Sequence, residues 1–299
     1  MGWRTTGDVT EFLAAAGEYL WRERARNTVI LTVSEQLRVN QALYSGHPSG
    51  EPLLGWWTDQ AGPADQADQA DPARPVVAGA FLHTPPHPLL LTAVPSDVAR
   101  ELALTLNGRP LTGVNGYPEA AESFAANWQA ATPGGQVAVE RRMRLYRLGD
   151  LVAPEPAPDG TGRIATDADA KLAADWFTAF AEEVRDAGAG EDRAVAVRDK
   201  LSHQGILLWE VGGRPVSLAG VTRQVVGMIR VGPVYTPPEL RGHGYASAVT
   251  AEVSRRAREA GADEVLLYTD LANPTSNSIY QNIGYRAVED RAVLAFSIH

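Results

Sequence analysis

The chain has 299 residues, of which 44% are hydrophobic and 21% charged, and its formal net charge at pH 7 is −9. Its length is about twice that of an ordinary domain and its composition is typical of a folded globular protein, so we expect two domains. Cysteine is absent, which excludes disulfide bonds, zinc–thiolate sites and a cysteine nucleophile. No basic run is interleaved with aromatic residues, so we expect no nucleic-acid partner.

The sequence also lacks the patterns of a secreted or membrane protein. Its first residues contain no apolar signal-peptide core. The most apolar stretch, residues 88–94, is far shorter than the roughly 18 residues that would suggest a membrane helix. We therefore expect a cytoplasmic protein without a membrane partner.

In the first half, hydrophobic periodicity and turn residues predict alternating helices and strands. Residues 61–75 repeat Ala-Asp-Gln between prolines, which is typical of an exposed loop. The predicted elements are helices at residues 9–26 and 34–43, strands at 52–58, 76–82 and 89–94, a helix at 97–106, a strand at 111–114, a helix at 118–130 and a strand at 137–148.

Residues 153–160 are proline-rich and lack periodicity, which predicts an interdomain linker. The predicted domains are therefore residues 1–150 and 151–299. In the second half, Gly212-Gly213 indicates a hairpin, and Gly261 stands where a helix C-cap is expected. The predicted elements are a helix at residues 168–184, strands at 206–211, 216–221 and 225–235, a helix at 244–260, a strand at 264–269, a helix at 275–282 and two extended segments within 285–297. Both halves thus read as mixed α/β sheets.

The strongest chemical signal is a glycine turn, Arg241-Gly242-His243-Gly244-Tyr245-Ala246, between a strand and a helix. Such a turn directs several backbone N–H groups and the positive end of the helix at one point, which suits a phosphate or pyrophosphate. A dinucleotide fingerprint would need glycine where Ser247 stands, and a Walker loop would need a lysine that is absent. The turn alone leaves the ligand open.

A second motif follows the next strand, with Asn273, Asn277, Tyr280 and Gly284-Tyr285. Together the two motifs resemble the GNAT superfamily of acyl-CoA N-acyltransferases over residues 163–299. This resemblance implies a mixed, mostly antiparallel twisted sheet flanked by helices, with acetyl-CoA as cosubstrate. The first half would be a degenerate copy in a tandem GNAT architecture.

The resemblance also implies a role for each motif residue. Backbone amides of the glycine turn would bind the coenzyme A pyrophosphate, and Tyr280 would protonate the departing thiolate. The implied cofactor-binding residues are Gly242, His243, Gly244, Tyr245 and Ala246 at the pyrophosphate, Arg241 near the phosphates, Val234, Tyr235 and Thr236 along the pantetheine arm, Asn273 orienting that arm, and Asn277 near it. In the first half, residues 94–97 lack glycine and place Asp97 where phosphate would lie, so that half should not bind coenzyme A.

The predicted activity is N-acetyl transfer to an amine by direct attack in a ternary complex, because no cysteine is present to hold the acyl group. The acceptor is left open among peptide N-termini, lysines, small amines and antibiotics, and the general base is either Glu210 or water. The alternative is a coenzyme A-binding regulatory or scaffolding module with lapsed catalysis. No metal is expected, because His83 and His87 lie in a proline-rich segment that cannot form a helix.

Overall fold

The structure is a computed structural model that describes residues 2–39, 50–59, 76–184 and 193–298. The predicted loop at 61–75 and the last residues of the predicted helix 34–43 lie outside these ranges. The chain forms two compact units: one extends to Met143 and includes the residues from Asp290 onward, and the other is Arg144–Glu289. These units differ from a division at residue 150 in two ways: residues 144–150 group with the second unit, and the residues from Asp290 onward group with the first.

The first unit is a mixed sheet with helices. Its helices are α1 (Val9–Arg22), α2 (Thr28–Val39), α3 (Ser96–Thr105) and α4 (Pro118–Ala131), and its strands are β1 (Gly2–Thr6), β2 (Leu53–Asp59), β3 (Val76–His83), β4 (Leu89–Leu91), β5 (Gly113–Gly116) and the first part of β6 (Gly135–Leu148). Strands β1 to β4 pair antiparallel in sequence order, whereas β4 and β5 are parallel. The aromatic residues Phe81, Phe124 and Trp128 are buried between sheet and helices.

The second unit has the same kind of architecture. It contains β7 (Thr161–Ile164), α5 (Ala170–Glu183), α6 (Arg193–Ser202), β8 (Ile206–Val211), β9 (Arg214–Val221), β10 (Met228–Tyr235), α7 (Tyr245–Glu259), β11 (Glu264–Asp270), α8 (Pro274–Asn282) and the first part of β12 (Tyr285–Ile298). Strands β7 to β10 pair antiparallel, and β10 and β11 are parallel. A mixed, mostly antiparallel sheet flanked by helices, as predicted for each half, is confirmed.

Several elements differ from the sequence predictions. Strands β1 and β7 were not predicted, because each is short and its mixed burial gives little periodicity. Helix α6 was not predicted either. Val197 is the only residue of this helix that is buried among the described residues, so the helix has no apolar face that would produce a periodic pattern. Helix α2 begins at Thr28 rather than residue 34, and the two extended segments predicted within 285–297 form one strand. The proline-rich segment 153–160, predicted as a linker, lies within the second unit.

Candidate functional site

In the second unit, the parallel strands β10 and β11 separate before β10 ends. They pair from Met228 to Val231, opposite Glu264 to Leu267, and no pairing continues beyond Val231. At the same place the register between β10 and β9 shifts between Val231 and Val234. As a result, the edge of β10 that faces β11 is free of strand partners near its end, where the sequence places Val234, Tyr235 and Thr236.

The glycine turn joins β10 to α7 and leaves the start of the helix uncapped. Gly242 and Gly244 have φ values of +81° and +80°, a left-handed conformation that glycine adopts without steric cost. No side chain caps the helix, and its first backbone bond runs from Ala248 N to Gly244 O at 3.1 Å. The N–H groups of Tyr245 and Ala246 therefore have no carbonyl one turn back, and they carry the positive end of the helix dipole.

A cavity of about 530 Å³ lies at this turn, within the second unit. It brings together the end of β10, the glycine turn and the starts of α7 and α8, with the end of α5 on a further side. The lining residues are Phe180, Glu183, Val184, Val234, Tyr235, Thr236, Leu240, Arg241, Gly242, Gly244, Tyr245, Ala246, Ser247, Asn273, Thr275, Ser276, Ile279 and Tyr280. Ten of the twelve residues assigned from the sequence are in this set, and His243 and Asn277 are not.

Tyr280 presents a neutral phenol to the cavity. Its ring packs edge-on against Tyr285, with 6.2 Å between the ring centroids. Burial raises the pKa of Tyr280 from 10.0 to about 12. Within the part of the chain that the structure describes, its hydroxyl makes no hydrogen bond. The hydroxyl therefore keeps its proton at neutral pH and is not engaged by another side chain.

The two asparagines of the second motif have different surroundings. Asn273 caps α8, with its Oδ1 accepting a hydrogen bond from Ser276 N at 3.0 Å, and it lines the cavity. Asn277 donates through Nδ2 to the carbonyls of Asp270 (2.8 Å) and Asn273 (2.7 Å), and its Oδ1 accepts from the Tyr146 hydroxyl (3.0 Å). These bonds use both of its amide hydrogens, and Asn277, which is not among the lining residues, joins the end of β11 to α8.

Arg241 lines the cavity but is bound by a residue that sequence reasoning did not identify. Its Nη2 donates to both carboxylate oxygens of Glu183, at 2.6 and 2.8 Å, and its Nε donates to Thr236 O at 2.9 Å. Glu183 is the last residue of α5, where helical periodicity identified only the apolar face. A pairing over 58 residues leaves no local signal in a sequence.

His243 and Glu210 lie apart from the cavity lining. The exposed His243 ring stacks on Tyr245, with 5.4 Å between the ring centroids. Glu210 forms an ion pair with Arg163 at 2.8 Å, and Arg163 also pairs with Asp169. Its carboxylate is engaged in this ion pair, and Glu210 is not among the residues that line the cavity.

The first unit has a different arrangement at the corresponding end of its parallel strands. The guanidinium of Arg291, 6% exposed, donates to the carbonyls of Leu91 and Asn115, each at 3.0 Å, and to Asn115 Oδ1 at 3.0 Å. Strands β4 and β5 pair at Leu89 and Leu90, so Arg291 binds just where they end. An arginine side chain thus occupies the place that is open between β10 and β11.

Within the described ranges, no group of three or more histidine, aspartate or glutamate side chains is arranged to hold a metal ion. Nor does any helix in those ranges have the length and apolar character needed to cross a membrane.

Comparison with known proteins supports the motif reading. A family model described as FR47-like protein matches residues 214–294, which include the glycine turn and the second motif. No curated protein matches the chain. Similar solved structures include a Drosophila protein (TM-score 0.61, 13% identity, 99% of this chain and 98% of that one), a GCN5-related N-acetyltransferase from Sphaerobacter thermophilus (0.57, 16%, 99% and 95%) and a GNAT-family acetyltransferase from Colwellia psychrerythraea (0.54, 11%, 100% and 100%).

Because the sequence identities are low, the similarity to these structures establishes the fold alone. Each of the three matches extends over nearly the whole of both chains, and both halves therefore take part in it. The chain has the fold of the GNAT superfamily of acyl-CoA N-acyltransferases, as the two motifs of its second half predict.

Proposed function

We propose that this protein is an N-acetyltransferase that transfers the acetyl group of acetyl-CoA to an amine by direct attack in a ternary complex. One observation carries the proposal: a single cavity contains both the uncapped glycine turn of α7 and the neutral hydroxyl of Tyr280. The first can bind the diphosphate of a cosubstrate and the second can supply a proton to its leaving group.

The lining residues fit coenzyme A. The free N–H groups at the start of α7 suit a pyrophosphate, because they are unpaired and lie at the positive helix end. The free edge of β10 can pair with the amides of a pantetheine arm in the manner of an added strand. Asn273 has a side-chain amide left over from its capping bond, which can orient that arm. Acetyl-CoA would supply an activated thioester carbonyl.

The protein groups would act at three points of the transfer. A backbone N–H of Val234, Tyr235 or Thr236 would stabilise negative charge on the thioester oxygen. Tyr280 would give its proton to the leaving sulfur. Glu183, the one carboxylate among the described lining residues, is held by Arg241. We therefore assign removal of the amine proton to water.

The proposal is tested by measuring thiol release from acetyl-CoA by the purified chain. The acceptors to be tried in turn are peptide N-termini, lysine peptides, small amines and aminoglycosides. Gly244→Glu should abolish coenzyme A binding, because a carboxylate then stands in the phosphate-binding turn. A Cβ at Gly244 would lie 3.6 Å from Pro158, an ordinary contact, so the cost of the substitution in the free protein is backbone strain at the positive φ.

Gly261→Glu is the matched control, since Gly261 has φ +87°, has open space around it and lies at the other end of α7. It introduces the same charge and the same backbone strain as Gly244→Glu and should leave binding intact. Coenzyme A binding without thiol release for any amine would identify a regulatory or scaffolding module instead. Binding that survives Gly244→Glu would contradict the proposed site.

A further inference from the structure

The first unit contains a cavity of about 640 Å³ that the proposed acetyl transfer does not use. It is lined by residues that precede β4 and β5, such as Pro86 and Thr112, and by the ends of α3 and α4. Arg291 binds at the opposite ends of the same two strands. The cavity is therefore not a remnant of a coenzyme A site, and the ligand that it can bind depends on its own lining residues.

Arg109 supplies the charge of this cavity. Its Nε donates to His83 Nδ1 at 3.0 Å and its Nη2 donates to the carbonyl of Glu51 at 2.6 Å. Both acceptors are neutral, and no carboxylate of the described residues forms an ion pair with Arg109. A guanidinium has more N–H donors than these two bonds use. Among the described residues, Arg109 thus brings to the cavity wall a positive charge that no carboxylate pairs with, together with N–H donors that these two bonds leave unused.

His83 fixes the position of that charge without changing it. It is 2% exposed, and because its Nδ1 accepts from Arg109, its ring proton resides on Nε2. Burial, together with the charge of Arg109, lowers the pKa of His83 to about 4. The imidazole therefore stays neutral from pH 5.5 upward, and the net charge of the pair remains that of the guanidinium.

The rest of the lining is mostly apolar. Trp128 is buried and stacks on Phe296, with 4.1 Å between ring centroids and 12° between ring planes. Leu111, Ile298 and several prolines complete the wall. Small-molecule sites commonly measure about 300–1,000 Å³ and combine such apolar walls with a few polar groups, and this cavity falls in that range.

We propose that this cavity binds a small organic carboxylate with an aromatic or branched apolar body, its carboxylate on Arg109 and its apolar part against Trp128. A guanidinium binds a carboxylate through two parallel hydrogen bonds, which a neutral amide cannot match. The competing interpretation is that Arg109 has only a structural role, joining the backbone at Glu51 to His83 at the end of β3. That interpretation predicts no dependence of ligand binding on charge.

Calorimetry on the full chain with benzoate, phenylacetate and isovalerate, each against its neutral amide, distinguishes the two. We expect at least one carboxylate to bind, with its amide roughly tenfold weaker or worse. Arg109→Gln should remove the preference for the acid over the amide.

A second variant keeps the test decisive if Arg109→Gln unfolds. Ala131→Phe adds bulk at a lining position and leaves Arg109 in place, so it should weaken acid and amide together. Circular dichroism melts establish that each variant is folded. If none of the three acids binds, if acid and amide bind equally, or if both variants bind like the parent chain, the proposal is overturned. None of these measurements depends on acetyl transfer.

Discussion

At Tyr280, burial decides whether the residue can act as an acid. Its pKa is raised from 10.0 to about 12, so this half-buried phenol stays protonated over the pH range in which most proteins work. A raised pKa means that the folded state binds this proton more tightly than the unfolded chain. The resulting stabilisation is fully present below pH 10 and is lost as the pH rises from 10 through 12.

Tyr280→Phe should therefore lower turnover on the order of 10²-fold or more while leaving acetyl-CoA affinity unchanged, because the ring packing on Tyr285 remains and only the proton donor is lost. Turnover is measured by thiol release and affinity by calorimetry. Below pH 10, kcat/KM should depend on pH in the same way in the parent enzyme and in the variant, because Tyr280 does not titrate there. Equal turnover in both proteins would reduce Tyr280 to a packing residue.

At the level of the elements, the sequence predicted the parts of the site that depend on local signals. Helix α7 was expected at residues 244–260 and is Tyr245–Glu259, because glycines mark its two ends. The sequence could not show which side chains meet across the fold. Asn277 belongs to the motif, yet Tyr146 and two carbonyls use its amide. Such pairings depend on tertiary packing.

The contact between the end of α5 and the glycine turn gives a second prediction. Glu183 holds Arg241 at the cavity, and an anionic cosubstrate would have to compete for the same guanidinium. Glu183→Gln should therefore strengthen coenzyme A binding, by up to roughly fivefold, since an exposed ion pair contributes no more than about 1 kcal/mol. Glu182→Gln, an exposed neighbour with the same change of charge, is the control. Unchanged binding in Glu183→Gln would show that the ion pair does not compete with the cosubstrate. Weaker binding would show that Glu183 positions Arg241 for the phosphates.

Over the whole molecule, we expect one equivalent of coenzyme A per chain. The second unit has the glycine turn and the open strand edge. In the first unit, α3 follows Pro95 without a glycine, and the guanidinium of Arg291 occupies the place between the strand ends. Calorimetry on the full chain measures the stoichiometry. Two equivalents, or one equivalent that persists in Gly244→Glu, would place a site in the first unit.

Removing residues 1–150 should damage the second unit directly. Tyr146 and Leu148 belong to its buried core, and both are lost from a fragment of residues 151–299. The Tyr146 hydroxyl also donates to Asn277 and accepts from Gln281 at 2.8 Å, so the fragment loses bonds that hold α8, the helix of Tyr280. Deleting one buried aromatic side chain costs about 3–5 kcal/mol, a large share of the roughly 5–15 kcal/mol that stabilises a domain.

We therefore expect the 151–299 fragment to melt at a lower temperature than the full chain, or to aggregate, and to bind coenzyme A weakly. A fragment of residues 144–299 restores Tyr146 and Leu148 and is the matched control, which should recover part of the stability and of the affinity. Thermal melts and calorimetry on the two fragments and the full chain measure both. If the shorter fragment melts and binds like the full chain, the strand that contains Tyr146 does not support the site.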